Sequence, residues 1–402
     1  WSKTIRERTG YLFIELQSKE HKTHRMSQQE TEKWLFFSAL PPFRGGIAQF
    51  SVATIKALAT RVSVKGFTFK QQYPNFLFPG SSQLDLESSN EQQYPRIVST
   101  FLPWTYLRAL RHFRKEKPAV FVTSYWMTFF APMMAFWAAF LPKKTKKIAI
   151  VHNLKPHESR FFDAFFNRLF VKQYDAFVVL SEAVGQDILQ VKPTAKIKHI
   201  AHPPYAIEQT ALDQAKCRQH LGLDPAKKTL LFFGLIRTYK GLLELIQAFS
   251  LLDDQYQLLI AGEVYGAASN YERALANSSN QNWRFVNQFI PNDEVAHYFQ
   301  AADLVVLPYL SATQSGVRAL ALAQKRAVLC TNVGGLAEGL VANQEGFELA
   351  QTDPKPFANQ IHELFERGNV SACNLALAHK NNNTDQAWLD FAAAIIEFSK
   401  TV

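Results

Sequence analysis

The chain has 402 residues, 47% of them apolar and 33 of them phenylalanine, enough for two or three domains with large, aromatic-rich cores. Its three cysteines, Cys217, Cys330 and Cys373, are odd in number and far apart, which excludes a disulfide framework and a cysteine metal site and points to a reducing compartment. Charge is divided unevenly, 29 Lys and Arg against 14 Asp and Glu in 1–205 and 15 against 20 in 206–402; such an imbalance speaks of partners, here an anionic membrane face, a lipid-phosphate acceptor or nucleic acid.

Residues 1–25 are polar and basic, begin with Trp1, and precede the first methionine, Met26. They read as a disordered or mis-started leader, and not as a signal peptide, because the longest apolar run, Tyr11 to Leu16, is broken by Glu15. The fold opens with Trp34 to Leu40, a buried strand by length and composition. It runs into Pro41-Pro42-Phe43-Arg44-Gly45-Gly46 and then a helical pattern of Ile47, Phe50, Ile55 and Leu58. A glycine pair after a first strand lets backbone approach a ligand while helix N–H groups face it; a plain tight turn would use the same residues. A strand over Ser63 to Phe69 follows, then a loop rich in Pro, Ser, Gln and Asn around Tyr73 to Pro95, long enough to cover an acceptor.

Pro118 to Pro142 holds no charged residue and is long enough to count as a membrane span. The reading adopted is a strand, Ala119 to Thr123, followed by a buried helix, since Pro132 interrupts the run and a helix buried on all sides is apolar all round. Its flanks are basic: Arg108, Arg111, Arg114, Lys115 and Lys117 before it, Lys143, Lys144, Lys146 and Lys147 after. Arg108, Arg111 and Arg114 share a helix face, which is either solvated or adsorbed to anionic lipid at ~1 kcal/mol per basic residue. The next strand, Lys147 to Val151, ends at His152, with His157 and Glu158 on the loop beyond. A histidine at a strand's carboxyl end, in a sheet whose crevice lies there, is a site candidate. Asp175 to Leu180 closes this half, with Ser181 as the N-cap of a helix.

In the second half, Leu230 to Phe233 end at Gly234, and Leu242, Leu243, Leu245, Ile246 and Phe249 recur at helical spacing. The loop between holds Arg237 and Lys240, with Gly241 at the helix start, an arrangement suited to an anion. Gln257 to Ala261 closes on Gly262-Glu263, Asp303 to Pro308 leads into Tyr309 and on to Gln314-Ser315-Gly316, and Ala327 to Thr331 leads into Asn332-Val-Gly-Gly-Leu-Ala-Glu338. Short buried strands closing on Gly-rich turns, with helices between, make an α/β fold with doubly wound parallel sheets. The blocks F-F-G-x-x-R-x-x-K-G, P-Y-x-x-x-x-Q-S-G and T-x-V-G-G-L-x-E resemble the nucleotide-sugar half of a GT-B glycosyltransferase of retaining family 4, strongly over 201–338 and more loosely before it.

That resemblance implies two Rossmann-like domains facing a cleft: an acceptor-binding domain over 26–205, a nucleotide-sugar-binding domain over 206–385, and a C-terminal helix over 386–402 crossing back. It implies sugar transfer from a nucleoside diphosphate sugar, a substrate and not a cofactor, with retention of configuration. Arg237 and Lys240 would neutralise the departing diphosphate, and His152 would polarise a sugar hydroxyl. Gly234, Gly262, Glu263, Ile290, Gln314, Ser315, Gly316 and Glu338 would bind the donor, while Arg44, Gly45, Gly46, His157 and Glu158 would meet phosphate or acceptor. Neutralisation by side chains makes a metal unnecessary, and no D-x-D metal motif occurs in the sequence.

One departure stands out. Family 4 enzymes often carry two glutamates eight apart after the P-Y strand; here Ala312 and Leu320 occupy those positions, and no acidic residue occurs between Asp303 and Glu338. The chain thus falls in the Q-S-G branch, with either a sugar-transferring enzyme or a catalytically inactive GT-B partner or scaffold as outcomes. The enzyme reading places it in the cytoplasm, at the inner face of the membrane, acting on a lipid-linked or glycan acceptor. Nucleic acid is set aside, because no helix-turn-helix, RNP or zinc module is present and aromatics are not interleaved with the basic runs.

Overall fold

A computed structural model describes residues 32–73, 84, 94–156, 160–205, 212–380 and 383–402. The leader 1–25, most of the Tyr73 to Pro95 loop, and His157 and Glu158 lie outside the described residues. The N-terminal half runs β1 (Lys33–Phe37), α1 (Gly46–Ala59), β2 (Ser63–Gln71), β3 (Arg96–Ser99), α2 (Pro103–Glu116) and β4 (Val120–Tyr125). It continues through α3 (Ala131–Phe140), β5 (Lys146–Val151), α4 (Asp163–Gln173), β6 (Ala176–Val179), α5 (Glu182–Val191) and β7 (Lys196–His199). These seven strands form one parallel sheet in the order β3-β2-β1-β4-β5-β6-β7. The order reverses between β1 and β4, so helices must cross on both faces. α2, α3, α4 and α5 pack on one face around Phe113, Trp137, Phe170 and Ile188. The other face carries α1. The uncharged run Pro118 to Pro142 resolves into β4 and α3, both buried against the sheet, and no helix among the described residues is long and apolar enough to cross a membrane.

The second half begins with α6 (Gln214–His220), β8 (Lys228–Phe233), α7 (Leu242–Phe249), β9 (Tyr256–Ala261), α8 (Ala268–Ala276) and β10 (Trp283–Val286). Then come α9 (Val295–Ala301), β11 (Leu304–Leu307), α10 (Gly316–Ala323), β12 (Ala327–Thr331), β13 (Gly346–Leu349), α11 (Pro354–Glu366) and α12 (Asn369–His379). Its six strands form a second parallel sheet, β10-β9-β8-β11-β12-β13, reversing between β8 and β11. The last helix, α13 (Thr384–Lys400), packs Trp388, Phe391, Ala392 and Ile395 against Phe50, Leu58 and the outer face of the first sheet. Trp388 fixes it there by donating its indole N–H to the Pro204 carbonyl at 2.9 Å.

All three cysteines are buried and free. The expected N-cap at Ser181 is not made: its side chain takes no capping bond. The cap comes from the other half, where the Glu338 carboxylate accepts from the Glu182 backbone N–H at 3.1 Å. The reason is crowding. A Cβ on Gly335 would lie 2.4 Å from the Ser181 Cβ, so the two halves touch at this point and Ser181 is enclosed by the contact.

Candidate functional site

Both sheets turn the carboxyl ends of their strands toward one cleft, and the C-terminal wall is built at its switch point between β8 and β11. β8 ends at Gly234 (φ 90°), and a Cβ on the neighbouring Gly262 would sit 2.0 Å from the Gly234 carbonyl oxygen. Glycine at 262 therefore lets the ends of β8 and β9 meet and keeps the floor of the site bare backbone. Beyond Gly234 the chain makes one short turn over Thr238–Lys240 and enters α7 through Gly241.

This turn buries Lys240. Its side chain is 8% exposed, its ammonium lies 5.4 Å over the Tyr309 ring, and among the described residues no carboxylate pairs with it. Burial, reinforced by repulsion from Arg237, pulls its pKa down to about 8. An ammonium desolvated without a counter-ion is unfavourable in the fold and favourable to an arriving anion. Arg237 is half-buried, with its guanidinium 4.9 Å over the Tyr265 ring. It is not among the residues that line the cavity between the two halves.

A cavity of about 390 Å³ lies between the halves. Gly234, Lys240, Gly262, Glu263, Ile290 and Gly316 line it from the C-terminal side. Arg44, Gly45 and Gly46 line it from the N-terminal side. Arg44 spans the cleft: its guanidinium donates to the Glu263 carboxylate at 2.8 Å and lies 4.6 Å over the Phe289 ring. With side chains only 12% and 15% exposed, this pair closes one side of the cavity. Glu263 is the one carboxylate among the described lining residues.

Other expected residues lie elsewhere. His152 is 3% exposed, edge-on to Phe50 at 4.7 Å, with both ring nitrogens unpartnered and its pKa lowered to about 3 by burial. The neutral ring sits beneath α1 and is not among the residues lining the cavity. Ser315 uses its hydroxyl to cap α10, accepting from the Arg318 N–H at 3.2 Å, and the Gln314 amide oxygen is buried without a partner. Glu338 meets the N-terminal half instead, 3.1 Å from His199, which also lies 3.0 Å from Glu182. These three are the described side chains whose arrangement could hold a metal ion, with ligand atoms within 4.8 Å of one another, and they stand outside the cavity lining.

Sequence reasoning missed Tyr205, Tyr265 and Phe289, all of which line the cavity. The Tyr205 hydroxyl would lie 3.6 Å from a Cβ on Gly46 and 3.4 Å from one on Gly316, so it sits between the two glycines and burial raises its pKa. The signal available was its place directly after Pro203-Pro204, where the chain passes between halves.

Two family descriptions fit this chain in series: "Glycosyl transferase 4-like domain" over residues 45–201 and "Glycosyl transferases group 1" over 227–367. The chain carries both of these glycosyl transferase domains, one after the other. The chain is 28% identical over 217 residues to a D-inositol 3-phosphate glycosyltransferase of Mycobacterium sp. (strain JLS), covering 52% of this chain and 49% of that one. It is 32% identical over 120 residues to the putative teichuronic acid biosynthesis glycosyltransferase TuaC of Bacillus subtilis, covering 30% and 28% of the two chains. The chain thus spans about half the length of the first of these curated relatives. Among solved structures it is similar to sucrose-phosphate synthase of Thermosynechococcus elongatus (TM-score 0.69, 17% identity, 92% of this chain and 100% of that chain). It is also similar to Anabaena HepE in complex with UDP-glucose (TM-score 0.67, 16% identity, 92% and 97%). The fold of the chain is GT-B.

Proposed function

We propose that the protein moves a sugar from a nucleoside diphosphate sugar to a lipid-linked or polysaccharide acceptor, with retention of configuration and with side chains, not a metal, neutralising the leaving group. The observation that carries this is the buried, uncompensated Lys240 at the switch point, with Arg237 beside it. As the bond from the anomeric carbon to the diphosphate oxygen lengthens, negative charge grows on the diphosphate. Lys240, already desolvated, stabilises that charge with little reorganisation, and the half-buried Arg237 beside it adds a second cation.

The remaining donor groups follow from the lining. Gly316 lines the cavity at the start of α10 and offers backbone N–H groups to phosphate oxygens. Glu263, held by Arg44, is placed to accept from ribose or sugar hydroxyls and so to serve where Ala312 and Leu320 supply no carboxylate. Ile290 gives an apolar edge for the base. His152, neutral and poised under α1, reaches a sugar hydroxyl only if the cleft rearranges on binding. HepE, similar in fold, is described in complex with UDP-glucose, which supports a nucleotide-sugar donor here. The cytoplasmic side of a membrane is the setting this reading favours.

Thermal-shift screening against UDP, GDP, ADP and their sugars tests the reading. One nucleotide family is expected to raise the melting temperature, because a ligand bound only by the native state stabilises it. A protein indifferent to all of them would overturn the proposal.

A further inference from the structure

The N-terminal half has a second feature that donor chemistry does not use. Among the described residues, four large aromatic side chains are strongly exposed, Trp104 on α2, Phe140 on α3, Phe165 on α4 and Phe161 two residues before α4, in the helical layer on one face of the first sheet. Phe161 is 98% exposed and Phe165 68%. They form a tooth with Phe162 and Phe166, neighbouring rings lying 5.1–5.6 Å apart. Exposed apolar clusters of this kind on a soluble face mark an interaction surface.

The cations of the same layer share its arrangement. On α2, Trp104 and Leu107 stand exposed in the first turns, and Arg108, Arg111 and Lys115 continue along the outward face. At α4, Phe161 just before the helix and Phe165 in its first turn come first, and Arg168 and Lys172 continue on the exposed stripe. Both helices follow a parallel strand and run back against it, so both apolar tips lie at the carboxyl-end edge of the sheet, the edge that borders the cleft. Residues 103–173 hold 13 Lys and Arg against 3 Asp and Glu. Of those acids Asp163 is buried, accepting from the Arg160 N–H at 2.6 Å, and Glu116 is paired with Lys65.

We infer that this face docks on an anionic lipid bilayer, with Trp104, Leu107, Phe161 and Phe165 entering the headgroup–acyl boundary and the cations behind them held by lipid phosphates. A bilayer fits because it offers both chemistries over a broad, flat area: an apolar layer reached by the tips, and a diffuse negative surface met by cations spread over two helices. Docking in this pose sets the cleft rim at the membrane, where a lipid-linked acceptor enters the site. The inference rests on the acceptor part of the proposed function and is independent of the donor chemistry.

The test uses the full chain and sedimentation with vesicles of phosphatidylcholine, with and without phosphatidylglycerol. Wild type is expected to bind the anionic vesicles at least ten-fold more tightly than the neutral ones, and its binding to weaken at high salt. The pair Phe161→Ser with Phe165→Ser is expected to lose ten-fold or more of that binding, while nucleotide-induced thermal shifts stay as in wild type. Those shifts show that the variant folds and separate failure here from failure of the donor reading. Quenching of fluorescence by brominated lipids, lost in Trp104→Phe, places the tip in the bilayer. Absence of vesicle binding by wild type, undiminished binding by the double variant, or a soluble dimer that the double variant abolishes in place of vesicle binding would each overturn the inference.

Discussion

The protein uses positive charge in two opposite ways. In the cleft, Lys240 is almost wholly buried and has no counter-ion among the described residues; on α2 and α4, Arg108, Arg111, Lys115, Arg168 and Lys172 stand in water. A solvated cation is screened within ~10 Å at 0.1 M salt and acts only in numbers, on a diffuse partner. A desolvated one is expensive alone and acts singly, on a compact anion that reaches it. Charge count therefore says little about function in this chain, and burial says a great deal.

The comparison breaks most sharply at Lys240. Replacing it by Met is expected to lower turnover of the nucleotide sugar ~100–1000-fold, the scale for removing a preorganised donor to developing charge, and at the same time to raise the melting temperature of the free protein. The second effect has a definite sign. Burial pulls the folded pKa down to about 8, below the 10.5 of a lysine in water, so between those values the unfolded chain holds a proton that the folded chain has released, and stability climbs with pH across that window. Below pH 8 the full burial penalty is present, at most roughly 3 kcal/mol. Lys240→Met removes it, so a melting curve at pH 7 shifts upward and loses its rise between pH 8 and 10.5. A lowered melting temperature would mean that Lys240 has a partner in the fold and is no reservoir for an anion.

Arg237→Ala is expected to cost less, ~10–100-fold in turnover, because the half-buried guanidinium is already eased by the Tyr265 ring. Glu263→Gln sharpens the division within the cavity. Its expected effect is a rise of about ten-fold in KM for the donor with a smaller change in kcat, since it weakens the hydroxyl contact proposed for Glu263 and loosens Arg44 while leaving Lys240 and Arg237 in place. The smallest effect belongs to Glu338→Gln. It weakens a partly exposed cap and ion pair joining the two halves, a change of below about 1 kcal/mol in melting experiments, and should leave donor affinity unchanged because Glu338 is not in the cavity lining.

These placements show what the sequence could carry. Both parallel sheets were legible, since their strands are runs such as Leu230 to Phe233 and Lys147 to Val151 that end on glycine or a polar turn. The meeting of Gly234, Lys240, Gly262 and Gly316 at one cavity was also legible, because strand ends of a parallel sheet converge at its switch point whatever lies between them. The short edge strands β10 and β13 were not; four residues each and only partly apolar, they owe their extended form to pairing with β9 and β12. Glu338 and Ser181 were misread for a common reason. Each sits on a local motif that reads correctly within its own half, and the contact between halves, forced by Gly335 against Ser181, reassigns both. Contacts across a cleft leave no periodicity in a chain. For that reason Arg44 with Glu263 could be named singly but not as a pair.

The central claim is that the Lys240 ammonium is kept poor in counter-charge until a diphosphate supplies it. Calorimetry of the nucleoside diphosphate that thermal-shift screening selects, run at pH 8.5 in two buffers of different ionisation enthalpy, measures this directly. With its pKa pulled down to about 8 by burial, part of the Lys240 population is deprotonated at that pH, and a bound diphosphate restores its proton, so net proton uptake on binding is predicted in wild type and none in Lys240→Met. Binding that is equally tight and free of proton uptake in both proteins would contradict the account.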